Sequence, residues 1–104
     1  MATYDLLITK PAEDDLFEIG RYISKELLEP KTAQRVISRI ADAISTLEDM
    51  PFRNALINDE RLAQIGIRKI LVDNYIVFYI EVEGIKTVTI IRVLYSRRDW
   101  QNLL

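Results

Sequence analysis

The first half of the chain carries apolar residues at spacings of three and four positions, the period of an amphipathic helix. A first stripe consists of Ala12, Leu16, Ile19, Ile23 and Leu27. A second stripe consists of Ala33, Val36, Ile37, Ile40, Ile44 and Leu47. Because Pro30 separates the stripes, the pattern predicts one helix that ends before Pro30 and a second over residues 31–49. Helices joined this closely fold back as an antiparallel hairpin.

The rest of the chain favours strands, because it is rich in β-branched and aromatic residues. The predicted strands cover residues 4–9, 65–72, 75–82 and 87–95. Asp73-Asn74 and Glu83-Gly84 are the predicted turns between the last three strands. Residues 52–63 show no clear period and are predicted to form a loop, with at most a short turn of helix. Residues 96–104 are predicted to form a short helix or tail.

The element order β-α-α-β-β-β predicts an α+β fold in a single domain over residues 1–104. An N-terminal strand and an antiparallel helical hairpin would pack with a small, mainly antiparallel sheet. Thr9 is placed to cap the first helix, with Pro11 in its first turn. Because the two helices cover one face of the sheet, we expect the opposite face to be free to bind a partner.

The chain has no cysteine and no histidine. Disulfides and thiolate metal sites are therefore excluded, and the commonest general base and zinc ligand are missing. We predict neither a cofactor nor a bound metal. The N-terminal residues do not follow a signal-peptide pattern, and no apolar run is long enough to cross a bilayer. These features predict a cytoplasmic protein with no membrane partner.

Charge is unevenly distributed, although the net charge is only −2. Residues 1–60 contain twelve acidic and seven basic side chains, whereas residues 61–104 contain four acidic and seven basic ones. The overall balance argues against a general nucleic-acid binder. The arginines of the strand-rich second part are therefore the more informative feature.

Three segments resemble one known family. Residues 91–100, Ile-Arg-Val-Leu-Tyr-Ser-Arg-Arg-Asp-Trp, are similar to the closing strand and Arg-Arg-Asp group of RelE/ParE-family toxins. Residues 74–79, Asn-Tyr-Ile-Val-Phe-Tyr, are similar to the central strand of that family. Residues 4–12, an apolar strand that runs into an acidic helix, are similar to its start. The element order agrees too, so the resemblance covers nearly the whole chain.

The resemblance implies the toxin of a type II toxin–antitoxin pair, which arrests growth and is neutralised by a cognate antitoxin. It allows a homodimer or a toxin–antitoxin hetero-oligomer. ParE-like members inhibit DNA gyrase, whereas RelE-like members cleave mRNA in the ribosome without a metal. A third hypothesis is an inactive family member that serves as an interaction module.

A metal-free endoribonuclease needs cations for the phosphate, an acid and a base. The candidate catalytic residues are Arg68, Arg92, Tyr95, Arg97 and Arg98. Two positions depart from the RelE-like pattern: Ile76 replaces an arginine of the central strand, and Tyr95 replaces a histidine or other basic residue. Tyrosine, with an ordinary pKa of about 10, is a poor base at neutral pH. Glu60 and Glu81 are candidate bases only because they lie near the basic part of the chain.

A gyrase inhibitor needs only a rigid surface of arginine and aromatic side chains, which are enriched at interface hot spots. The candidate target-binding residues are Arg92, Arg97, Arg98, Asp99 and Trp100. Ile76, the missing histidine and the negative net charge lead us to favour gyrase over the ribosome. Two candidates have a structural alternative. Arg92 would pair with a carboxylate such as Glu81, and Trp100 would pack the tail onto the sheet.

Overall fold

The computed structural model of the chain describes residues 3–49 and 51–104. Met50, which with Pro51 is expected to end the helical hairpin, lies outside the described residues. The helices are α1 (Lys10–Arg21), α2 (Pro30–Ser45) and α3 (Glu60–Ile65). The strands are β1 (Asp5–Ile8), β2 (Arg68–Val72), β3 (Tyr75–Val82) and β4 (Thr87–Tyr95). The predicted α+β class is confirmed. None of the helices in the described ranges is long and apolar enough to span a membrane.

The two long helices form the predicted hairpin, and local side chains explain where they begin. Thr9 caps α1, because its hydroxyl accepts a hydrogen bond from the backbone N–H of Ala12 at 3.2 Å. After Arg21 the chain continues as a π-helical turn over Tyr22–Glu26. Pro30 begins α2 rather than preceding it. Proline is tolerated at this position because the N–H that it lacks would have no partner within the helix.

The sheet has the strand order β1-β4-β3-β2. The two strands nearest the chain ends are parallel neighbours, with Asp5 opposite Thr87 and Ile8 opposite Ile90. The other pairs are antiparallel, so the sheet is mainly antiparallel as predicted. Because β1 stops opposite Ile90, β4 runs on to Tyr95 with one edge not covered by a strand.

The main core lies between the helical hairpin and one face of the sheet. Its buried strand residues are Val72, Val77, Tyr79, Val88, Ile90 and Val93. Its buried helical and turn residues are Ala12, Ile23, Ala33, Val36, Ile40, Ile44 and Leu47. Most of both apolar stripes therefore faces this core, as expected for amphipathic helices. Leu27 was wrongly included in the first stripe: it follows the π-helical turn and is 52% exposed.

The opposite face of the sheet is also covered, so the expectation of a free face was wrong. Ile76 and Phe78 of β3 and Leu94 of β4 are almost fully buried there. The side chains that cover them are Ile57, Leu62, Ala63, Ile67, Trp100, Leu103 and Leu104. The physical reason is that β3 carries apolar side chains on both of its faces, and burying both is more favourable than leaving one in water.

Other boundaries differ from the prediction. α2 ends at Ser45 rather than at residue 49, and a 3-10 turn over Thr46–Glu48 follows it. β2 begins at Arg68, because α3 and its caps occupy the residues before it. Asp59 caps α3 by accepting a hydrogen bond from the Leu62 N–H at 3.1 Å, and Gly66 ends it with φ of 98°. The connection between β3 and β4 is a 3-10 turn over Glu83–Ile85. Its left-handed residue is Lys86 rather than the glycine of the predicted turn.

Candidate functional site

Arg92, on β4, is held by Asp15 of α1. Its Nε donates to Asp15 Oδ2 at 2.7 Å, and its Nη2 donates to Oδ1 at 2.8 Å. This two-point ion pair is the strong form of an arginine–carboxylate contact. The hydrogen bond with Asp15 raises the pKa of Arg92 above its ordinary value. Arg92 thus pairs with a carboxylate, as the structural alternative proposed, but Glu81 was the wrong partner.

Asp15 reaches β4 because β1 is short. Past Ile90 the outer edge of β4 would present backbone groups without partners, which is costly in a protein interior. Thr9 satisfies the first of them, since its hydroxyl lies 2.9 Å from the carbonyl oxygens of Ile90 and Ile91. Asp15 satisfies the next, by accepting a hydrogen bond from the Val93 N–H at 2.9 Å.

The sequence contained a signal for Asp15. Asp15 falls three residues after Ala12 and four before Ile19, on the apolar side of α1. An acid at such a position needs a partner. The side chain of Asp15 is only 11% exposed.

Arg68 is also held, by the end of β3 and the loop before α3. Its Nε lies 3.4 Å from Oε1 of Glu81, and its Nη1 donates to the carbonyl oxygen of Asn54 at 2.6 Å. Its guanidinium carbon lies 5.3 Å from the centroid of the Phe52 ring, a cation–π contact. The side chains of Arg68 and Glu81 are 19% and 10% exposed. This pair is therefore part of the structure of the domain rather than an open phosphate site.

The predicted catalytic residues do not meet at one point. Arg68 lies opposite Tyr79, and Tyr95 lies opposite Tyr75. Tyr75 and Tyr79 are four positions apart on β3, which is roughly 13 Å along a strand. Tyr95, Arg97 and Arg98 lie close to one another because they are near neighbours in the sequence. Arg68 lies at the other end of the sheet.

Arg97 and Arg98 lie in a tight turn after β4, and both side chains are exposed. The Arg98 N–H donates to the Tyr95 carbonyl oxygen at 3.0 Å, which closes the turn. The Ser96 N–H donates to the Asn74 carbonyl oxygen at 2.8 Å and so fixes the turn to the β2–β3 connection. Among the side chains that the structure describes, neither arginine forms an ion pair with a carboxylate. We call residues 95–98 the arginine turn.

The other two target-binding candidates follow the arginine turn. Asp99 is exposed and accepts a hydrogen bond from Asn102 Nδ2 at 2.6 Å. Trp100 is half-buried, with its ring centroid 5.2 Å from that of Phe78. It packs the tail onto the sheet, as the structural alternative proposed. Only Arg97, Arg98 and Asp99 of the five candidates are thus directed mainly to solvent.

A cleft of about 1030 Å³ opens beside the arginine turn. It lies between the two long helices and the ends of β3 and β4, and Arg98 lines it together with Tyr22, Arg35, Arg39, Tyr75 and Tyr95. The rings of Tyr75 and Tyr95 meet edge to face at 5.8 Å. Burial raises the pKa of Tyr75. The cleft could not be predicted from the sequence, because its walls come from segments far apart in the chain.

The described part of the chain holds no group of three acidic side chains placed to bind a metal. The site is made of guanidinium groups, tyrosines and carboxylates, since Asp15, Glu18 and Asp73 also line the cleft.

Comparison with known sequences assigns the family. Residues 6–100 match the family described as "ParE toxin of type II toxin-antitoxin system, parDE". The chain belongs to the ParE toxin family. The resemblance to the RelE/ParE superfamily is thus confirmed, and this ParE-family chain is a toxin of the type II class. No curated protein sequence matches it.

Solved structures share the fold of this ParE-family chain. One is from the chromosomal ParDE TA system of P. aeruginosa, with a TM-score of 0.75 and 20% identity. That match covers 93% of this chain and 100% of the other. Another is from the toxin–antitoxin complex RelBE2 of Mycobacterium tuberculosis, with a TM-score of 0.66 and 20% identity, covering 89% and 98%.

Proposed function

We propose that this ParE-family toxin arrests growth by inhibiting DNA gyrase, with Arg97 and Arg98 as its main target contacts. One observation carries the proposal. The arginines of the sheet are engaged with carboxylates, Arg92 with Asp15 and Arg68 with Glu81, whereas those of the arginine turn are exposed. Binding a protein target requires exposed side chains on a rigid backbone, and this turn supplies them.

The same arrangement disfavours cleavage of RNA. A phosphate in the transition state needs guanidinium donors that are not already used. The donors of Arg92 are directed at Asp15 and at the carbonyl oxygen of Leu103. Glu81, one candidate base, faces Arg68 and is almost enclosed. Arg68, Arg92 and Glu81 are therefore not available to act together with Tyr95, Arg97 and Arg98 on one ribose and its phosphate.

The proposal includes neutralisation by a cognate antitoxin. Both solved relatives come from toxin–antitoxin systems. The cleft beside the arginine turn has apolar and aromatic walls, and its lining includes both Arg35 and Arg98 and the carboxylates of Asp15, Glu18 and Asp73. Those carboxylates are paired with Arg92, Arg21 and Arg39, so Arg35 and Arg98 supply the positive charge that a ligand would meet. An acidic, partly apolar antitoxin segment in this cleft would bury apolar surface and cover Arg98.

A paired assay with purified protein tests the target. One arm measures supercoiling by gyrase, and the other measures cleavage of mRNA on translating ribosomes. We expect inhibition in the first arm and intact mRNA in the second. Cleaved mRNA with unaffected gyrase would establish the RelE-like alternative. Inactivity in both arms, without growth arrest on induction, would support the interaction module.

A further inference from the structure

We infer that Asp15 and Arg92 are positioning residues, which hold residues 96–103 so that Arg97 and Arg98 point in the direction that the target recognises. We call residues 96–103 the tail loop. The inference rests on the proposed function and concerns how the same site is built. It assigns Arg92 a part in toxicity without contact with the target.

The start of the tail loop is fixed by backbone hydrogen bonds. Ser96 and Arg98 are bonded to the β2–β3 connection and to the end of β4, as described above. The Trp100 N–H then donates to the Arg98 carbonyl oxygen at 2.8 Å, and the Leu103 N–H donates to the Trp100 carbonyl oxygen at 2.9 Å. These contacts are local, so they shape the loop but do not hold its far end on the sheet.

The far end packs on the sheet through the side chains of Leu103 and Leu104. The polar contact that fixes its backbone comes from Arg92. Its Nη1 donates to the Leu103 carbonyl oxygen at 3.3 Å. Asp15 accepts hydrogen bonds from the other two nitrogens, Nε and Nη2, and so fixes the plane of the guanidinium group. One planar group thus joins α1, β4 and the last residues of the chain. Because the geometry of a guanidinium is rigid, loss of Asp15 removes the orientation of the third bond as well.

The orientation of the tail loop matters for binding because its arginines are long and flexible. An arginine on a fixed backbone loses less conformational freedom when it binds than one on a loop that moves. The tail loop also packs Trp100 on Phe78. A loosened far end would therefore change both the direction of the arginines and the environment of this indole.

The test uses the full chain with Asp15→Asn and Arg92→Lys. Asparagine removes the charge of the carboxylate, and lysine keeps the charge of Arg92 but lacks the fork that reaches Asp15 and Leu103 together. Asp14→Asn is the matched control, since Asp14 is the neighbouring acid on α1 and its pair with Lys10 is exposed. Ile40→Val is the stability control, because it weakens the core without touching the tail loop.

Two readouts are measured at a temperature at which circular dichroism shows that all variants are folded. Trp100 is the only tryptophan of the chain, so its emission and its quenching by acrylamide report how the tail loop is docked. The second readout is the protein concentration that half-inhibits gyrase. We expect stronger quenching in both test variants and about a tenfold loss of inhibition, as when one interface side chain is misplaced. Both controls should keep wild-type values.

A purely structural role predicts a different result. Asp15→Asn and Arg92→Lys would then lower the melting temperature but leave quenching and inhibition at the level of Ile40→Val, which would overturn the inference. If the wild type does not inhibit gyrase, the proposed target is wrong. Trp100 quenching and growth arrest on induction, neither of which presumes a target, then decide the inference alone. Unchanged values of both in the test variants would reject it.

Discussion

The carboxylate of Asp15 and the guanidinium of Arg92 meet in a two-point ion pair that connects the first helix to the last strand. The contact changes the interpretation of the basic C-terminal part. An arginine among apolar residues is a candidate for chemistry as long as its partner is unknown. With Asp15 in place, Arg92 supports the fold, and the exposed cations that follow β4 are those of the arginine turn.

Replacing Asp15 should destabilise the fold much more than replacing its neighbour Asp14. We expect Asp15→Ala to lower the free energy of unfolding by about 3 kcal/mol, because Arg92 and the Val93 N–H both lose a partly buried partner. Asp14→Ala should change it by less than about 0.5 kcal/mol, since that pair is exposed. Urea unfolding measures both. Equal effects would show that the Asp15 contact contributes little.

Substitution of the arginine turn should separate toxicity from folding. We expect Arg97→Ala/Arg98→Ala to relieve growth arrest on induction, with a free energy of unfolding within about 1 kcal/mol of wild type. Lys25→Ala/Lys31→Ala removes the same charge from exposed positions and should leave growth arrest intact. Relief by both double variants would attribute toxicity to net charge rather than to these two side chains.

The loss of stability caused by a core substitution should increase with the burial of the side chain that is replaced. Ile40 is fully buried, whereas Leu16 is only partly buried beside the main core. We expect Ile40→Ala to cost about 2–5 kcal/mol through lost packing, and Leu16→Ala to cost less. Chemical denaturation gives both values. A larger loss for Leu16→Ala would mean that the hairpin packs on the sheet differently.

Tyr79 should make stability sensitive to alkaline pH. Its hydroxyl donates to the Pro51 carbonyl oxygen at 2.6 Å, and burial raises its pKa above the ordinary 10.0. The unfolded chain therefore loses this proton at lower pH than the folded chain. The contribution of the group is fully present below about pH 10 and is lost as the pH rises through the folded pKa.

The matching variant is Tyr79→Phe. It should lose about 1–2 kcal/mol at neutral pH, because the Pro51 carbonyl oxygen is left without its donor. Between about pH 9 and pH 11 it should then lose less stability than the wild type. The pKa of Tyr75 is also raised, so the free energy of unfolding still falls with rising pH in both proteins, but less steeply in Tyr79→Phe. An identical dependence of the free energy of unfolding on pH in wild type and Tyr79→Phe would contradict the role given to Tyr79.

Much of the fold could be predicted because it depends on local patterns. The bounds of β3 and β4, the Thr9 cap and the two apolar stripes all follow from periodicity and from residue preferences. The burial of the second face of the sheet could not be predicted, because the apolar residues of the tail are too few and too irregular to show a period. The pairing of Asp15 with Arg92 could not either, since it joins residues 77 positions apart.

The most direct test of the central claim is a titration of gyrase with wild-type protein and with Arg97→Ala/Arg98→Ala, scored by supercoiling of relaxed plasmid. We predict that the wild type inhibits supercoiling, and that the double variant needs at least about tenfold more protein for the same effect. Equal inhibition by the two proteins, or no inhibition by the wild type, would contradict the account.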